Sequence, residues 1–297
     1  MAREKNQRPE DLGPPWTVRK LLRWTTRFFD EEANSESPRL DAELLLGDVL
    51  EMERVELYAR SDAPVDEEER GEFRQLVKRR AAGEPVAYLV GHRPFWGMDL
   101  KTDDRSIVPR PETEVLVETF LDEFPDEPGR VVDVGTGAGP IAIAVANERP
   151  RLEVAAVDVD ADALNLAREN AARHGLDDRI DFYRGDLLEA LPERWFPLDS
   201  ILSNPPYVPE DDRESLAIDV REHEPEEALF AGPDGLDVIR RLLPTARDRL
   251  AEDGRLVVEI GHDQGRAVRN LAREAGFGEY RIETDYSDRD RVLVARP

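Results

Sequence analysis

The stretch Arg130-Val131-Val132-Asp133-Val134-Gly135-Thr136-Gly137-Ala138-Gly139-Pro140 is an apolar run interrupted by one aspartate, followed by three alternating glycines. A short apolar run of β-branched residues predicts a strand buried on both faces, as in a parallel sheet. Glycines directly after it allow the backbone to turn sharply and to approach a ligand without a side chain in between. Ile141 to Asn147 then reads as a helix, so the stretch predicts a strand, a glycine turn and a helix, the local frame of a nucleotide-like cofactor site. Two phosphate-binding variants of that frame fail. The dinucleotide fingerprint needs a glycine where Pro140 stands, and no Gly-Lys-Ser/Thr follows to make a phosphate cradle.

Further along the chain the same alternation repeats. Strands are predicted at Glu153 to Val157, Ile180 to Tyr183, Ser200 to Ser203, Leu256 to Ile260 and Val292 to Ala295. Helices are predicted between most of them, at Ile141 to Asn147, Asp162 to His174, Leu236 to Leu250 and Gln264 to Ala275. Crossovers of this length are too long for hairpins, so the fold class is α/β, with a doubly wound, mostly parallel sheet that binds ligands at the carboxyl ends of its strands. Asp158 ends the second strand, about 20 residues beyond Gly139, where a carboxylate can accept both hydroxyls of a ribose. Asp186 follows the third strand and is placed to meet an adenine amine. Together these features specify an adenosine carrier without phosphates, and an acidic setting suits a cationic sulfonium, which is the description of S-adenosyl-L-methionine. Singly each has a plainer reading: a glycine-rich turn is often structural, and Asp162 reads equally well as a helix cap.

Asn204-Pro205-Pro206-Tyr207 comes directly after the strand that ends at Ser203, on the same sheet edge as the glycine turn. Consecutive prolines fix the backbone and remove two donors, so nearby carbonyls can face a cleft. That leaves two acceptors, the Asn204 side-chain oxygen and the Pro205 main-chain oxygen. An amide or aromatic amine is a poor nucleophile because its lone pair is delocalised. If both of its hydrogens are held by those two oxygens, positive charge building on nitrogen during methyl transfer meets preorganised dipoles. Tyr207 can stack on the flat group, and no general base is needed before attack. An isolated Asn-Pro-Pro-Tyr is more simply a rigid turn; the glycine loop at the same edge favours the chemical reading.

Toward the amino terminus, Val115, Leu116, Val117 and Phe120 predict a helix, and Phe95-Trp96-Gly97-Met98 with Tyr88-Leu89-Val90-Gly91 predict short extended pieces, a hairpin between domains. Val18, Leu21, Leu22, Thr25, Phe28 and Phe29 form a helical stripe capped by Thr17. A second helix starts near Pro38 with an apolar face through Leu40, Leu44, Leu45 and Val49, and a third starts at the capping box Asp66 to Glu69 and continues into Phe73, Leu76 and Val77. The expected division is a small helical bundle over 1–83, a hairpin linker over 84–108 and the cofactor domain over 109–297.

Composition narrows the function further. Among 297 residues there are 41 basic and 66 acidic side chains, a formal charge of −25 that disfavours bare nucleic acid and anionic membranes as partners. The absence of cysteine excludes thiolate nucleophiles, disulfides and cysteine-ligated metals. His92, His174, His223 and His262 are scattered without ligand spacing, so no metal is expected. The first 16 residues lack an apolar leader segment, and the run Ile141 to Ala146 is far too short to span a bilayer, which predicts a cytoplasmic protein. Only four of the 41 basic residues are lysine. A lysine-poor acidic surface suits a cytoplasm of high salt, and high-GC codon usage gives the same bias.

With these motifs in place the sequence resembles the class I S-adenosylmethionine-dependent methyltransferases and, within them, the peptide chain release factor glutamine methyltransferases (HemK/PrmC type). The likeness covers nearly the whole chain. It includes Ile107-Val108-Pro109-Arg110-Pro111-Glu112-Thr113-Glu114, Asp133 to Gly139, Ser203 to Tyr207, Glu224-Pro225, and Glu259-Ile260-Gly261 before Gln264-Gly265. The Pro-Arg-Pro-Glu-Thr-Glu segment separates these enzymes from the related ribosomal-protein glutamine methyltransferases. The resemblance implies methyl transfer to the side-chain nitrogen of the glutamine in the Gly-Gly-Gln motif of class I release factors, with Asn204, Pro205, Pro206 and Tyr207 holding the glutamine amide. It implies a cofactor pocket made by Gly135, Thr136, Gly137, Ala138, Gly139, Asp158, Asp186, Leu187 and Asn204. Leu187 departs from the family, which can carry an aromatic there, and Phe95 and Trp96 fall either near the substrate mouth or in a packed core. The helical bundle is expected to contact the release factor, and the enzyme is expected to be a monomer that binds neither nucleic acid nor membrane directly. The competing readings are methylation of another protein glutamine, as in a ribosomal protein, methylation of adenine in nucleic acid, and a non-catalytic cofactor-binding regulator.

Overall fold

The computed structural model describes residues 15–32 and 35–297, so most of the segment read above as lacking a leader lies outside the described residues. The chain divides into two units. One comprises the residues up to Gly91 together with Ile218–His223; the other comprises His92–Ala217 and Glu224–Pro297.

The first unit contains five consecutive helices, α1 (Val18–Glu32), α2 (Pro38–Leu50), α3 (Arg54–Ala59), α4 (Glu67–Ala81) and α5 (Val86–Val90). Both predicted caps hold: Thr17 Oγ1 accepts from the Lys20 amide at 3.4 Å, and Asp66 and Glu69 cap α4 reciprocally at 2.9 and 2.8 Å. The face of α2 is a correction. Of Leu40, Leu44, Leu45 and Val49 only Leu45 is buried; Ala42 and Leu46 are buried instead, with the charged Asp41 and Glu43. The cause is that α2 packs against α1, α3, α4 and α5, so it has no single solvent face, and its acids are buried with partners. Arg54 donates to Glu43 at 2.7 Å, and Arg80 donates to Asp41 at 2.8 Å. Tyr88 to Val90 lies in α5 rather than in an extended piece. The unit boundary therefore falls at Gly91, not Gly83, and the hairpin belongs to the second unit rather than to a separate linker.

That hairpin pairs β1 (His92–Phe95) with β2 (Met98–Lys101) through Trp96 and Gly97, both at positive φ (49° and 70°), the signature of a two-residue hairpin turn. It is followed by α6 (Glu114–Glu123), β3 (Gly129–Val134), α7 (Pro140–Glu148), β4 (Leu152–Asp158), α8 (Ala161–Arg173), β5 (Ile180–Arg184) and β6 (Leu198–Ser203). After β6 the chain lends α9 (Ile218–His223) to the first unit, then adds α10 (Asp237–Arg249), β7 (Leu250–Glu259), α11 (Gly265–Glu274), β8 (Glu279–Thr284) and β9 (Asp290–Arg296). The seven-stranded sheet has the order β5-β4-β3-β6-β7-β9-β8; the first five strands are parallel and the last two pairings antiparallel. Side-chain alternation sorts the two cores: Val131 and Val154 join α6 and α7 on one face, while Val132 and Ala155 join α10 and α11 on the other. Every sheet strand predicted from Arg130 onward is present. The sequence reading missed β8, an edge strand whose half-exposed Glu279-Tyr280-Arg281-Ile282 lacks an apolar run. No helix among the described residues is long and apolar enough to cross a membrane.

Candidate active site

Register decides which residues meet at the carboxyl edge. Val134 lies beside Val157 on one side and Ser203 on the other, and Ser203 lies beside Val258. The residues that follow, Gly135, Asp158, Asn204 and Glu259, therefore emerge as neighbours. Ser203 Oγ donates to the Val134 carbonyl at 2.7 Å and ties the two central strand ends together.

The glycine loop is built from the backbone. The Gly135 and Thr136 amides donate to the Val157 carbonyl at 2.8 and 3.0 Å, and Gly135, Gly137 and Gly139 all have positive φ. Their roles differ. At Gly135 an added Cβ would meet no protein atom within 4 Å, so the backbone there faces open space. At Gly139 it would press on Ile143 at 3.0 Å and on Ala167 at 3.2 Å, so this glycine serves the packing of α7 against α8. Thr136 is also inward: its hydroxyl donates at 2.6 Å to Asp133 Oδ2, which accepts the Ala142 amide at 3.2 Å. Burial pushes the Asp133 carboxyl up to about 7, more than these bonds lower it. Asn170, which sequence reasoning missed, is wholly buried on α8. Its amide donates to the Ala138 and Lys101 carbonyls at 3.0 Å each, and its oxygen accepts the Lys101 amide at 2.7 Å.

A cavity of about 680 Å³ opens beside this loop. Gly135, Gly137, Asp158, Asp186, Leu187, Asn204 and Pro206, all predicted, line it, whereas the predicted Pro205 and Tyr207 do not. Thr136 and Ala138 line only a smaller recess next to it, with Arg110, Thr113 and Asn204, and Gly139 lines neither. Asp158 accepts the Gly137 amide on Oδ2 at 2.8 Å and the Asp160 amide on Oδ1 at 3.0 Å. Each oxygen keeps a further lone pair for a ribose hydroxyl. Burial, the leading cause, raises its pKa, and the charge of Asp160 adds to this. The cap of α8 is Asp160, whose side chain accepts from the Asp162 amide, so the capping role read for Asp162 moves two residues back. Asp186 pairs with Arg241, a partner the sequence did not announce because it sits on α10. Leu187, at φ 49°, supplies an apolar wall. Asp158, Asp160, Asp186, Glu226 and Glu227 outnumber Arg105 and Arg241 around the cavity, a balance that favours a cation.

On the far side of Asn204 the support comes from side chains. Asn204 Nδ2 donates to Thr113 Oγ1 at 3.0 Å, Thr113 Oγ1 donates to Glu259 Oε2 at 2.7 Å, and Tyr207 OH donates to Glu259 Oε1 at 3.3 Å. No donor among the described residues engages Asn204 Oδ1 or the Pro205 carbonyl. The Tyr207 carbonyl accepts Gln264 Nε2 at 2.9 Å, and Gly235 packs so closely that a Cβ would lie 2.1 Å from that oxygen. Arg110 Nη2 donates to both oxygens of the buried Glu224 at 2.6 and 2.7 Å. Phe95 is buried in the core beneath α6, and Trp96 donates from Nε1 to Glu148 at 3.0 Å; neither lines the cavity.

Comparison with known proteins gives a consistent assignment. Residues 20–91 match the PrmC N-terminal domain, and residues 111–222 match the methyltransferase small domain. The release factor glutamine methyltransferase of Rhodopirellula baltica is 42% identical over 94% of this chain and 96% of its own length. That of Moorella thermoacetica is 43% identical over 88% of this chain and 92% of its own. A solved methyltransferase from Pyrococcus furiosus, 18% identical, superposes with a TM-score of 0.50 over 67% of this chain and 89% of its own, which supports the fold. The open backbone at Gly135, the Asp158 oxygens and the acidic lining fit the cofactor of this fold class, S-adenosylmethionine. The chain belongs to the release factor glutamine methyltransferase family.

Proposed function

We propose that this enzyme methylates the side-chain amide nitrogen of the glutamine in the Gly-Gly-Gln motif of class I peptide chain release factors, in the cytoplasm. The observation that carries the reading is the state of Asn204, which lines the cavity: its nitrogen is held by Thr113, while neither its oxygen nor the carbonyl of the adjoining Pro205 is engaged by a donor among the described residues. Two fixed acceptors suit a planar group with two N–H bonds.

S-adenosylmethionine, when bound, supplies an electrophilic methyl group on sulfur. The residues do the rest. Gly135 and Gly137 give backbone access, Asp158 accepts the ribose hydroxyls, Asp186 takes the adenine amine, and Leu187 provides an apolar face. Asn204 Oδ1 and the Pro205 carbonyl bind the two amide hydrogens of the glutamine, and Tyr207 lies against its plane. As the nitrogen attacks, its positive charge grows toward those two oxygens, which are already oriented and need no rearrangement. The proton then leaves a cationic nitrogen, so no base is required to start. The helical first unit carries the contact with the release factor, in keeping with its match to the PrmC N-terminal domain.

The test is methyl transfer from labelled cofactor to a purified release factor, to its Gln-to-Ala variant in the Gly-Gly-Gln motif, and to DNA. Label in the first alone, located on the glutamine by mass spectrometry, is the expected result. Label in DNA, or equal label in the variant, would overturn the reading.

A further inference from the structure

We infer that Thr113 and Glu259 are positioning residues of this site: one buried carboxylate holds the Thr113 hydroxyl as an acceptor, and the hydroxyl in turn decides which end of the Asn204 carboxamide faces the substrate. This rests on the reading of Asn204 as an amine clamp.

The two ends of a carboxamide have nearly the same shape and opposite hydrogen-bonding sense. A clamp for an N–H bond works only if the oxygen points outward, and nothing within Asn204-Pro205-Pro206-Tyr207 decides that. Thr113, 91 residues earlier in the chain, decides it. Its hydroxyl has a single hydrogen, which goes to Glu259 Oε2 at 2.7 Å, so only lone pairs are left toward Asn204. Nδ2 meets them at 3.0 Å. A flipped amide would set Oδ1 against the same lone pairs. The other oxygen of Glu259 accepts from Tyr207, and burial together with the charge of Glu259 keeps that phenol protonated and therefore a donor. One carboxylate thus fixes both polar side chains of the tetrapeptide.

The placement explains two sequence segments that had no assigned task. Thr113 ends the 3₁₀ turn Pro111–Thr113, where its amide bonds to the Arg110 carbonyl at 3.1 Å, so the Pro-Arg-Pro-Glu-Thr-Glu segment delivers the hydroxyl. Glu259 is the last residue of β7, wholly buried, beside the Ser203 to Asn204 strand end. The groups that face Glu259 are the hydroxyls of Thr113 and Tyr207, Arg291 from β9, which favours its anion, and Glu112 from the 3₁₀ turn, which opposes it. Arg110 bears on Tyr207, and Arg291 is itself paired with Asp285 at 3.1 Å. Burial, the largest of these influences, raises Glu259 to about 7. A proton on Glu259 makes it a donor and frees the Thr113 hydrogen to point at Asn204. The productive orientation is therefore present above about 7 and lost as the pH falls through it.

The test uses Thr113→Val, Thr113→Ser and Glu259→Gln in the full-length enzyme. Thr113→Val should lower kcat roughly tenfold, the effect of one lost orienting bond. KM for the release factor and cofactor affinity by titration should stay unchanged, and Thr113→Ser should restore most of the rate. Glu259→Gln should lower kcat and flatten its pH dependence near 7. Independently of activity, one side-chain amide proton of Asn204, assigned by its loss in Asn204→Ala, should exchange slowly in the parent and quickly in Thr113→Val. Unchanged kcat and exchange in Thr113→Val would overturn the inference, as would a serine variant as impaired as the valine one. A protected Asn204 amide in a parent that fails to methylate release factor would overturn the functional reading and leave the relay standing.

Discussion

The two halves of the site are held by different means. Around β3 and β4 the cofactor side is made by main chain: the Gly135 and Thr136 amides on the Val157 carbonyl, positive φ at alternate glycines, and Asp158 accepting the Gly137 amide. Around β6 and β7 the proposed substrate side is made by side chains from distant segments, with Thr113 and Glu259 lying 91 and 52 residues from the groups they hold. A loop fixed by its own backbone tolerates changes of side chain that a relay of single hydroxyl and carboxyl groups does not. The cofactor side should therefore respond to substitution mainly in binding, and the substrate side mainly in turnover.

The largest contrast is expected from one residue on each side. Asn204→Ala removes an oriented acceptor and should lower kcat by roughly 10²-fold or more at saturating cofactor, with cofactor affinity by calorimetry little changed. A variant with near-parent turnover would break the comparison on the substrate side. Asp158→Ala should do the reverse, weakening cofactor binding by about tenfold or more, the cost of two lost charge-assisted bonds, with kcat recovering at high cofactor concentration. A fall in saturated kcat without a change in affinity would show that Asp158 serves the chemistry rather than the binding.

The same contrast explains what the sequence could show. The strand ending at Val134, the glycine loop and Asp158 are local in sequence, and their spacing alone placed them. So was the tetrapeptide after Ser203. Thr113, Glu259, Asn170 and Arg241 could not be found that way, because each acts across a tertiary contact and none carries a spacing signal: Asn170 is one polar residue in an amphipathic helix, and Glu259 is one acid at the end of an apolar strand. Glu259 did carry a signal of another kind, an acid closing the buried run Leu256 to Val258, where an unpaired charge is costly and so implies a partner. β8 was missed because an edge strand need not be apolar, and α5 because a run of five residues cannot reveal its period.

Within the glycine loop Gly135 and Gly139 should separate. Gly135→Ala meets no atom and strains only the backbone, so it should fold and lose cofactor affinity by roughly tenfold through its intrusion on the cavity and the strain of positive φ. Gly139→Ala meets Ile143 and Ala167 and should cost about 1–3 kcal/mol of stability in denaturant titration. Equal losses of affinity in both, without loss of stability at Gly139, would mean that Gly139 touches the cofactor after all.

The smallest expected effect is a slope, and it tests whether the buried acid behind the loop is held against its preference. Asp133 has an ordinary carboxylate pKa when unfolded and one pushed up to about 7 when folded, chiefly by burial, with Oδ1 unpartnered among the described residues. The folded state therefore keeps a proton that the unfolded state has released, and by linkage stability falls as pH rises between about 4 and 7, then levels off. Glu259, raised to a similar value, contributes with the same sign. Asp133→Asn cannot titrate, so the decline in melting temperature between pH 5 and 8 should be smaller in this variant by a few degrees, about 2–4 °C for each kcal/mol removed. Comparing slopes rather than absolute melting temperatures discounts any fixed cost of placing an amide nitrogen where Oδ1 stands. Parallel slopes would mean that Asp133 is neutral or charged alike in both states, and that burial does not hold its carboxyl against its preference.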